Sequence, residues 1–360
     1  MDRKYSKLVA GFAALATSVS VFGLTGPTAF AATSISESGS SLMYPLFTQQ
    51  WITAYKKVAP SVSINAASTG SGTGIAQAIA GTINIGASDA YLAPAQQKQN
   101  PTMVNIPVAV SAQQVMYNIP GLSQSTHLKL TGDVLAQIYQ GQIKLWDDAK
   151  IASLNKGVKL PHKQIVTIRR SDSSGDTFLF TQFLSDTNSS WANNVAYGTT
   201  VSWPALQGSL GAKGNSGIVT ALAQNPYSIS YVGISWLNNA LATKKIGYAA
   251  LKNRSGNYEL PTNATISAAA NAMAKSTPKN ESVSLVYAPG STAYPIANYE
   301  YAIVNTKQAN STTASAVKNF LNWAVSSSGG NSTKYLAPVH FLPLPSTVVS
   351  LSKAQISKIH

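Results

Sequence analysis

Hydrophobic positions recur along this chain with two alternating periods. Val62, Ile64 and Ala66 alternate with polar residues, the period-two signature of a half-buried strand. Just before them Phe47, Trp51, Tyr55 and Val58 recur at helical spacing. The alternation continues downstream. Residues 75–80 read as a short helix, 83–85 as a strand, 103–110 as another, and 114–118 as a third ended by Pro120-Gly121. Leu135, Ile138 and Tyr139 mark a helix, 165–168 a strand and 177–184 a helix. Strands alternating with helices predict an α/β protein with largely parallel sheets. The polar stretch 253–276 breaks the pattern and reads as exposed loops.

The first thirty-one residues follow a different rule. Arg3, Lys4 and Lys7 give a basic start, Leu8 to Leu24 is uncharged, and Ala29-Phe30-Ala31 supplies a small-x-small pattern. This predicts a secretory signal peptide over residues 1–31, with the mature chain starting near Ala32. The run is short for a membrane span, and Thr17, Ser18 and Ser20 interrupt it. No cysteine follows it to carry a lipid. The expectation is a secreted protein, periplasmic or associated with the cell surface.

Composition narrows the chemistry. Hydrophobic residues make up 44% of the 360, enough for a sizeable core and, at ordinary domain sizes, for two domains. The absence of cysteine excludes a disulfide scaffold, a thiolate nucleophile and an iron–sulfur cluster. The four histidines, His127, His162, His340 and His360, form no metal-binding spacing, so neither a metal nor a cofactor is expected. The chain carries 26 basic and 12 acidic residues. The basic ones are scattered, the densest clusters being pairs such as Arg169-Arg170, which argues against a nucleic-acid footprint. Scarce carboxylates suit acidic surroundings, where such groups lose their charge.

Three glycine- and serine-rich loops stand between a predicted strand and a predicted helix: residues 37–45, 68–74 and 169–177. Each would present backbone N–H groups and hydroxyls at the positive end of a helix, which is how proteins hold an oxyanion without a metal. No nucleotide-binding glycine motif accompanies them.

In order and spacing these segments resemble a known family. Gly-Ser-Ser-Leu-x-Tyr-Pro at 39–45, Gly-Ser-Gly-Thr-Gly-Ile at 70–75, Gly-Ala-Ser-Asp-Ala at 86–90, Tyr-Asn-Ile-Pro-Gly at 117–121 and Arg-Arg-Ser-Asp-Ser-Ser-Gly at 169–175 are followed by Thr-Val-x-Trp-Pro at 200–204 and Gly-Asn-x-Gly at 214–217. Together they resemble the phosphate-specific substrate-binding proteins of ABC transporters over nearly the whole mature chain. The resemblance implies a two-domain periplasmic-binding-protein type II fold, with a ligand cleft between the domains and two crossover strands. One domain would comprise 32–118 plus 295–360 and the other 119–294, with 113–118 and 299–305 as the crossing strands. It also implies an inorganic phosphate ligand, a membrane permease as partner, and a monomer without enzymatic activity.

Carried over by position, the ligand contacts fall on Ser41, the backbone of Leu42, Ser71, Asp89, Arg170, Ser174, Gly175 and Asp176, with Asp172 pairing the arginine. Arg170 is a fixed-fork cation suited to an oxyanion. Asp89 is the diagnostic residue. At ~4 Å and an effective dielectric near 20, a carboxylate repels an anion by about 4 kcal/mol. That is tolerable only with a proton between them. Phosphate retains one near neutrality; sulfate, molybdate and tungstate do not. Asp176 departs from the threonine of several relatives. Either it is a second proton acceptor, or it points to solvent in the first turn of its helix. The competing readings are a phosphatase-like enzyme, for which no Gly-x-Ser-x-Gly elbow or catalytic carboxylate pair is visible, and a secreted phosphate scavenger. The tryptophans Trp51, Trp146, Trp203, Trp236 and Trp323 are expected to pack the core.

Overall fold

Alternating strands and helices place one mixed sheet at the centre of the protein. The structure, a computed structural model, describes residues 33–360; the expected signal peptide lies outside the described residues. In chain order the strands are β1 (Thr33–Gly39), β2 (Val62–Ser68), β3 (Ile85–Ser88), β4 (Met103–Asn118), β5 (Lys129–Leu130), β6 (Val166–Arg170), β7 (Leu210–Ala212), β8 (Ser228–Gly233), β9 (Gly247–Tyr248), β10 (Ala250–Lys252), β11 (Tyr258–Glu259) and β12 (Ala297–Asn305). The main sheet runs β2-β1-β3-β12-β4-β8-β6-β7, with β9 also paired to β4. A small sheet joins β11, β10 and β5.

The sheet is mixed rather than largely parallel. β1 runs parallel to β2 and β3, and β6 parallel to β7 and β8, but β12 is antiparallel to β3 and β4, and β4 is antiparallel to β8. The two patterns expected as separate strands, 103–110 and 114–118, are one strand of 16 residues, all of them buried. The strand stays regular across Ser111–Gln114 because its backbone passes directly from the β12 ladder to the β8 ladder, while the Ser111 hydroxyl and Gln113 Nε2 find buried acceptors. Its first part pairs with β12 through Ala112, and from Gln113 onward it pairs with β8. Tyr299–Asn305 belongs wholly to the first part of the sheet, between β3 and β4. The chain therefore passes back between the two parts just before Ala297, where Ile296 accepts a hydrogen bond from the Gln113 N–H. Pro107 cannot donate to a ladder, and the β4–β12 register shifts beside it, between Glu300 and Tyr301.

Helices cover both faces of the sheet. Phe47, Trp51 and Tyr55 pack with Phe320 and Trp323 in a cluster of edge-to-face rings. Val58, expected on the same face, is 61% exposed; it is the last residue of the helix Ile52–Val58, beyond the aromatic cluster. Trp51 and Trp146 are buried as expected, and Trp191 joins them. Trp203 and Trp323 are partly buried against the core. The stretch 253–276 is not all loop. Asn263–Ala274 is a helix whose Ile266, Ala269, Ala270 and Ala274 are buried, and small alanines gave that face a faint hydrophobic signal. Among the described residues no helix is long and apolar enough to cross a membrane.

Candidate functional site

The three loops predicted from the sequence meet at one place, at the carboxyl ends of parallel strands, the usual location for ligands in open α/β sheets. Each loop is shaped by a constraint its sequence satisfies. After β1, Gly39 has φ +145°, and a Cβ there would collide with the Ala87 carbonyl of β3. That close approach brings Ser40 over β3, and the Ser40 N–H donates to Ala87 O at 2.9 Å. After β2, Gly70 has φ +97° and faces Ser173 and Asp172 of the third loop. The third loop leaves β6 at Arg170 and enters the helix Gly175–Thr187 with Ser174 as its cap.

Three serines share one arrangement. Ser71 Oγ accepts from the Asp89 N–H at 3.2 Å, and Ser174 Oγ accepts from the Thr177 N–H at 3.3 Å. Ser41 Oγ accepts twice from Asn215, at 3.1 Å from N and 2.9 Å from Nδ2. Each hydroxyl oxygen is thus held as an acceptor, and its proton remains available to donate. All three serines are buried. Gly175 and Asp176 open their helix, where N–H groups have no intrahelical acceptor. A Cβ on Gly175 would run into Asp89 Oδ2 and lie 2.5 Å from Ser71 Oγ, so only glycine fits between the first two loops and the third.

Arg170 is 3% exposed. Its Nε donates to Asp172 Oδ1 at 2.7 Å, its Nη2 to Asp172 Oδ2 at 2.5 Å, and its Nη1 to Asp176 Oδ2 at 2.6 Å. The backbone N–H of Arg170 donates to the Tyr231 hydroxyl at 3.1 Å, and Tyr231 stacks on Phe180 at 4.6 Å. A buried arginine left unpaired is strongly destabilising, so the aspartates fix both its charge and its direction. The expected Arg170–Asp172 pair is present. Burial alone would raise the Asp172 carboxyl, but hydrogen bonds and charge from Arg170 hold it below its usual range.

Asp176 is fully buried and faces inward, so the solvent-facing alternative fails. Besides Arg170 it accepts from Asn215 Nδ2 at 2.7 Å and from Gln113 Nε2 at 3.1 Å. Burial raises its pKa, and Arg170, Gln113 and Asn215 only partly offset that. Asp89 is 2% exposed and accepts from the Ser40 hydroxyl. Burial, then the nearby charge of Asp176, pushes it up to about 7, against the opposing pull of Ser40, Glu300 and Arg170.

Leu42 differs from expectation. Its backbone N–H is committed to Ser40 Oγ at 3.1 Å, and its side chain is buried against Gly233. Trp236 does more than pack: its indole N–H donates to the Ser41 carbonyl at 2.9 Å. Ser40, Gln113, Asn215 and Glu300 were not singled out from the sequence. Ser40 and Asn215 had a signal, because they lie in the Gly-Ser-Ser and Gly-Asn-x-Gly segments; Gln113 and Glu300 touch the site only through tertiary contacts. None of the four histidines is hydrogen-bonded to a site residue.

Comparison with known proteins agrees with this geometry. The profile of the PBP superfamily domain matches residues 25–328. The chain is 34% identical over 329 residues to the phosphate-binding protein PstS of Methanocaldococcus jannaschii, covering 86% of this chain and 82% of that protein. It is 32% identical over 342 residues to PstS of Pasteurella multocida, covering 95% and 94%. In three dimensions it is similar to a high-affinity periplasmic phosphate-binding protein, PfluDING, with a TM-score of 0.70, 22% identity, and coverage of 89% of this chain and 93% of that one. The chain therefore belongs to the PBP superfamily and, within it, to the PstS phosphate-binding proteins.

Proposed function

We propose that this chain binds inorganic phosphate outside the cytoplasm and delivers it to the permease of an ABC importer. The observation that carries the reading is the pairing, in one buried cluster, of a cation with a proton acceptor. Arg170 and the hydroxyls of Ser41, Ser71 and Ser174 offer donors to an oxyanion, joined by the first N–H groups of the Gly175 helix. Asp89 stands among them and demands a hydrogen in return. A fully ionised tetrahedral anion satisfies the donors and is repelled by Asp89. A site that must leave a buried polar group unpaired can discriminate by about 10⁴.

The pocket lies where two lobes meet, one formed by 32–118 with 295–360 and the other by 119–294. Gln113 and the Ile296–Ala297 return are the hinge, and closure around the ligand follows the hinge-type motion of such folds. Asp176 acts as the second acceptor, tuned by Arg170 and Asn215. The chain acts as a binder rather than as an enzyme, in keeping with relatives named as phosphate-binding proteins. It works as a monomer after export, with residues 1–31 as the signal.

Calorimetric titration of the purified protein tests this. Phosphate should bind, arsenate should compete because it carries the same protons, and sulfate should not compete. Sulfate bound as tightly as phosphate would overturn the assignment.

A further inference from the structure

Behind Asp89 lies a second carboxyl that the phosphate site does not account for. In the antiparallel pairing of β12 with β3, Tyr301 lies opposite Ser88. One step further along each strand, Glu300 comes opposite Asp89. On its other flank Glu300 pairs with Ala109 of β4, and the register shift next to it leaves Val108 of β4 as the extra residue. Glu300 is 0% exposed. Its Oε1 accepts from Asn298 Nδ2 at 3.0 Å and from the Ser111 hydroxyl. Its Oε2 has no donor. A buried carboxylate oxygen without a donor is costly, whereas a carboxyl O–H in that place is itself a donor in need of an acceptor. The acceptor present is Asp89, with which Glu300 forms a carboxyl pair.

We propose that Glu300 is a positioning residue for Asp89: its neutral carboxyl donates a hydrogen bond to the Asp89 carboxylate and keeps that group an acceptor for a protonated oxyanion. The proposal rests on the reading of Asp89 given above. Asp89 would then be clamped by two donors of the protein, Ser40 from the β1 turn and Glu300 from β12, and would turn its remaining acceptor capacity toward the ligand. The charged groups facing Asp89 from the other side are Asp176 and Arg170; those facing Glu300 are Asp89 alone, with Ser111 and Asn298 as neutral partners. Burial and the neighbouring Asp89 raise the Glu300 pKa well above the usual carboxylate range, consistent with a retained proton. The bond from Glu300 in turn draws the Asp89 pKa downward.

The test compares wild type, Glu300→Gln and Glu300→Met by phosphate and sulfate titration from about pH 5 to 9, a range spanning the Asp89 transition. Glu300→Met should weaken phosphate binding about 10- to 100-fold at neutral pH, the loss of one hydrogen bond to a charged group. It should also move the pH midpoint of binding upward, because Asp89 then holds its own proton more tightly. Glu300→Gln keeps an N–H donor toward Asp89 and a carbonyl for Ser111 and Asn298, and should restore the wild-type profile. A structural defect alone would not shift the midpoint or be rescued in this way. In an Asp89→Asn background, Glu300→Met should add little further loss, since the two act as one unit. A wild-type profile in Glu300→Met, a Glu300→Gln variant as impaired as Glu300→Met, or additive losses in the double variant would each overturn the proposal. Wild type that fails to separate phosphate from sulfate would remove the Asp89 reading itself, and this proposal with it.

Discussion

At the residue scale the pocket is a problem of counting protons. One buried guanidinium, Arg170, faces Asp172, Asp176, Asp89 and, behind it, Glu300. A phosphate adds further negative charge, so the pocket is tolerable only if some of these groups remain protonated. Two outcomes follow. Asp89→Asn offers an amide that can turn its N–H toward sulfate, and the preference for phosphate over sulfate should fall by at least about 10²-fold. Competition calorimetry would read it, and an unchanged ratio would count against Asp89. Asp176→Thr removes a carboxylate that gains charge as pH rises. The variant's affinity relative to wild type should therefore increase from about pH 5 to 8. Parallel profiles would end the two-acceptor idea.

At the element scale the precision of the site comes from close approaches between loops. Gly175 begins a helix with ordinary backbone angles, so alanine suits the helix, with better propensity by about 1 kcal/mol. Its Cβ nonetheless enters the space of Asp89 and Ser71. Gly175→Ala should lower the melting temperature of the ligand-free protein by a few degrees at most, the loops parting to admit the methyl group, and lose phosphate binding by about 10²-fold or more. A loss of stability with affinity intact would contradict this. Gly39→Ala behaves differently. Its φ of +145° and the Ala87 carbonyl make it a fold-breaking change, costing about 3 kcal/mol or more by urea denaturation. The same scale shows what was legible in the sequence. The three loops were, because glycine and serine at strand ends declare themselves locally. Arg170 and Asp89 were legible through motif order. The unity of β4 was not, because its polar centre, Ser111 to Gln114, mimics a break when its partners on β12 and β8 are unseen. Glu300 was hidden for the same reason: a lone acid in an aromatic strand has no local signature, and only the β3–β12 register shows what it faces.

At the scale of the whole molecule, acids are few and several are buried without a cation. Burial raises Glu37, Glu281 and Glu300 above their usual range, Glu281 to about 9, with Ser352 and Lys358 only partly opposing it. A carboxyl with a raised folded pKa binds more protons folded than unfolded between the two values. Its contribution is full below the unfolded value and is lost as pH rises through the folded one. Unfolding free energy should thus be greatest near pH 4 to 5 and decline by a few kcal/mol toward pH 9, the reverse of a fold that relies on surface ion pairs. Urea titrations at pH 5, 7 and 9 would check it. A maximum on the alkaline side would refute both this accounting and the acid-adapted reading of the composition.

The shared strand has one more implication. β4 gives its first ten residues to β12 and its last six to β8. Neither part of the sheet owns it, so neither is an independent cassette. Residues 119–294 produced alone would carry β8 with an open flank, a template for self-association. Any engineered sensor or split version built from this protein has to keep Met103–Asn118 in one piece and place its cuts elsewhere.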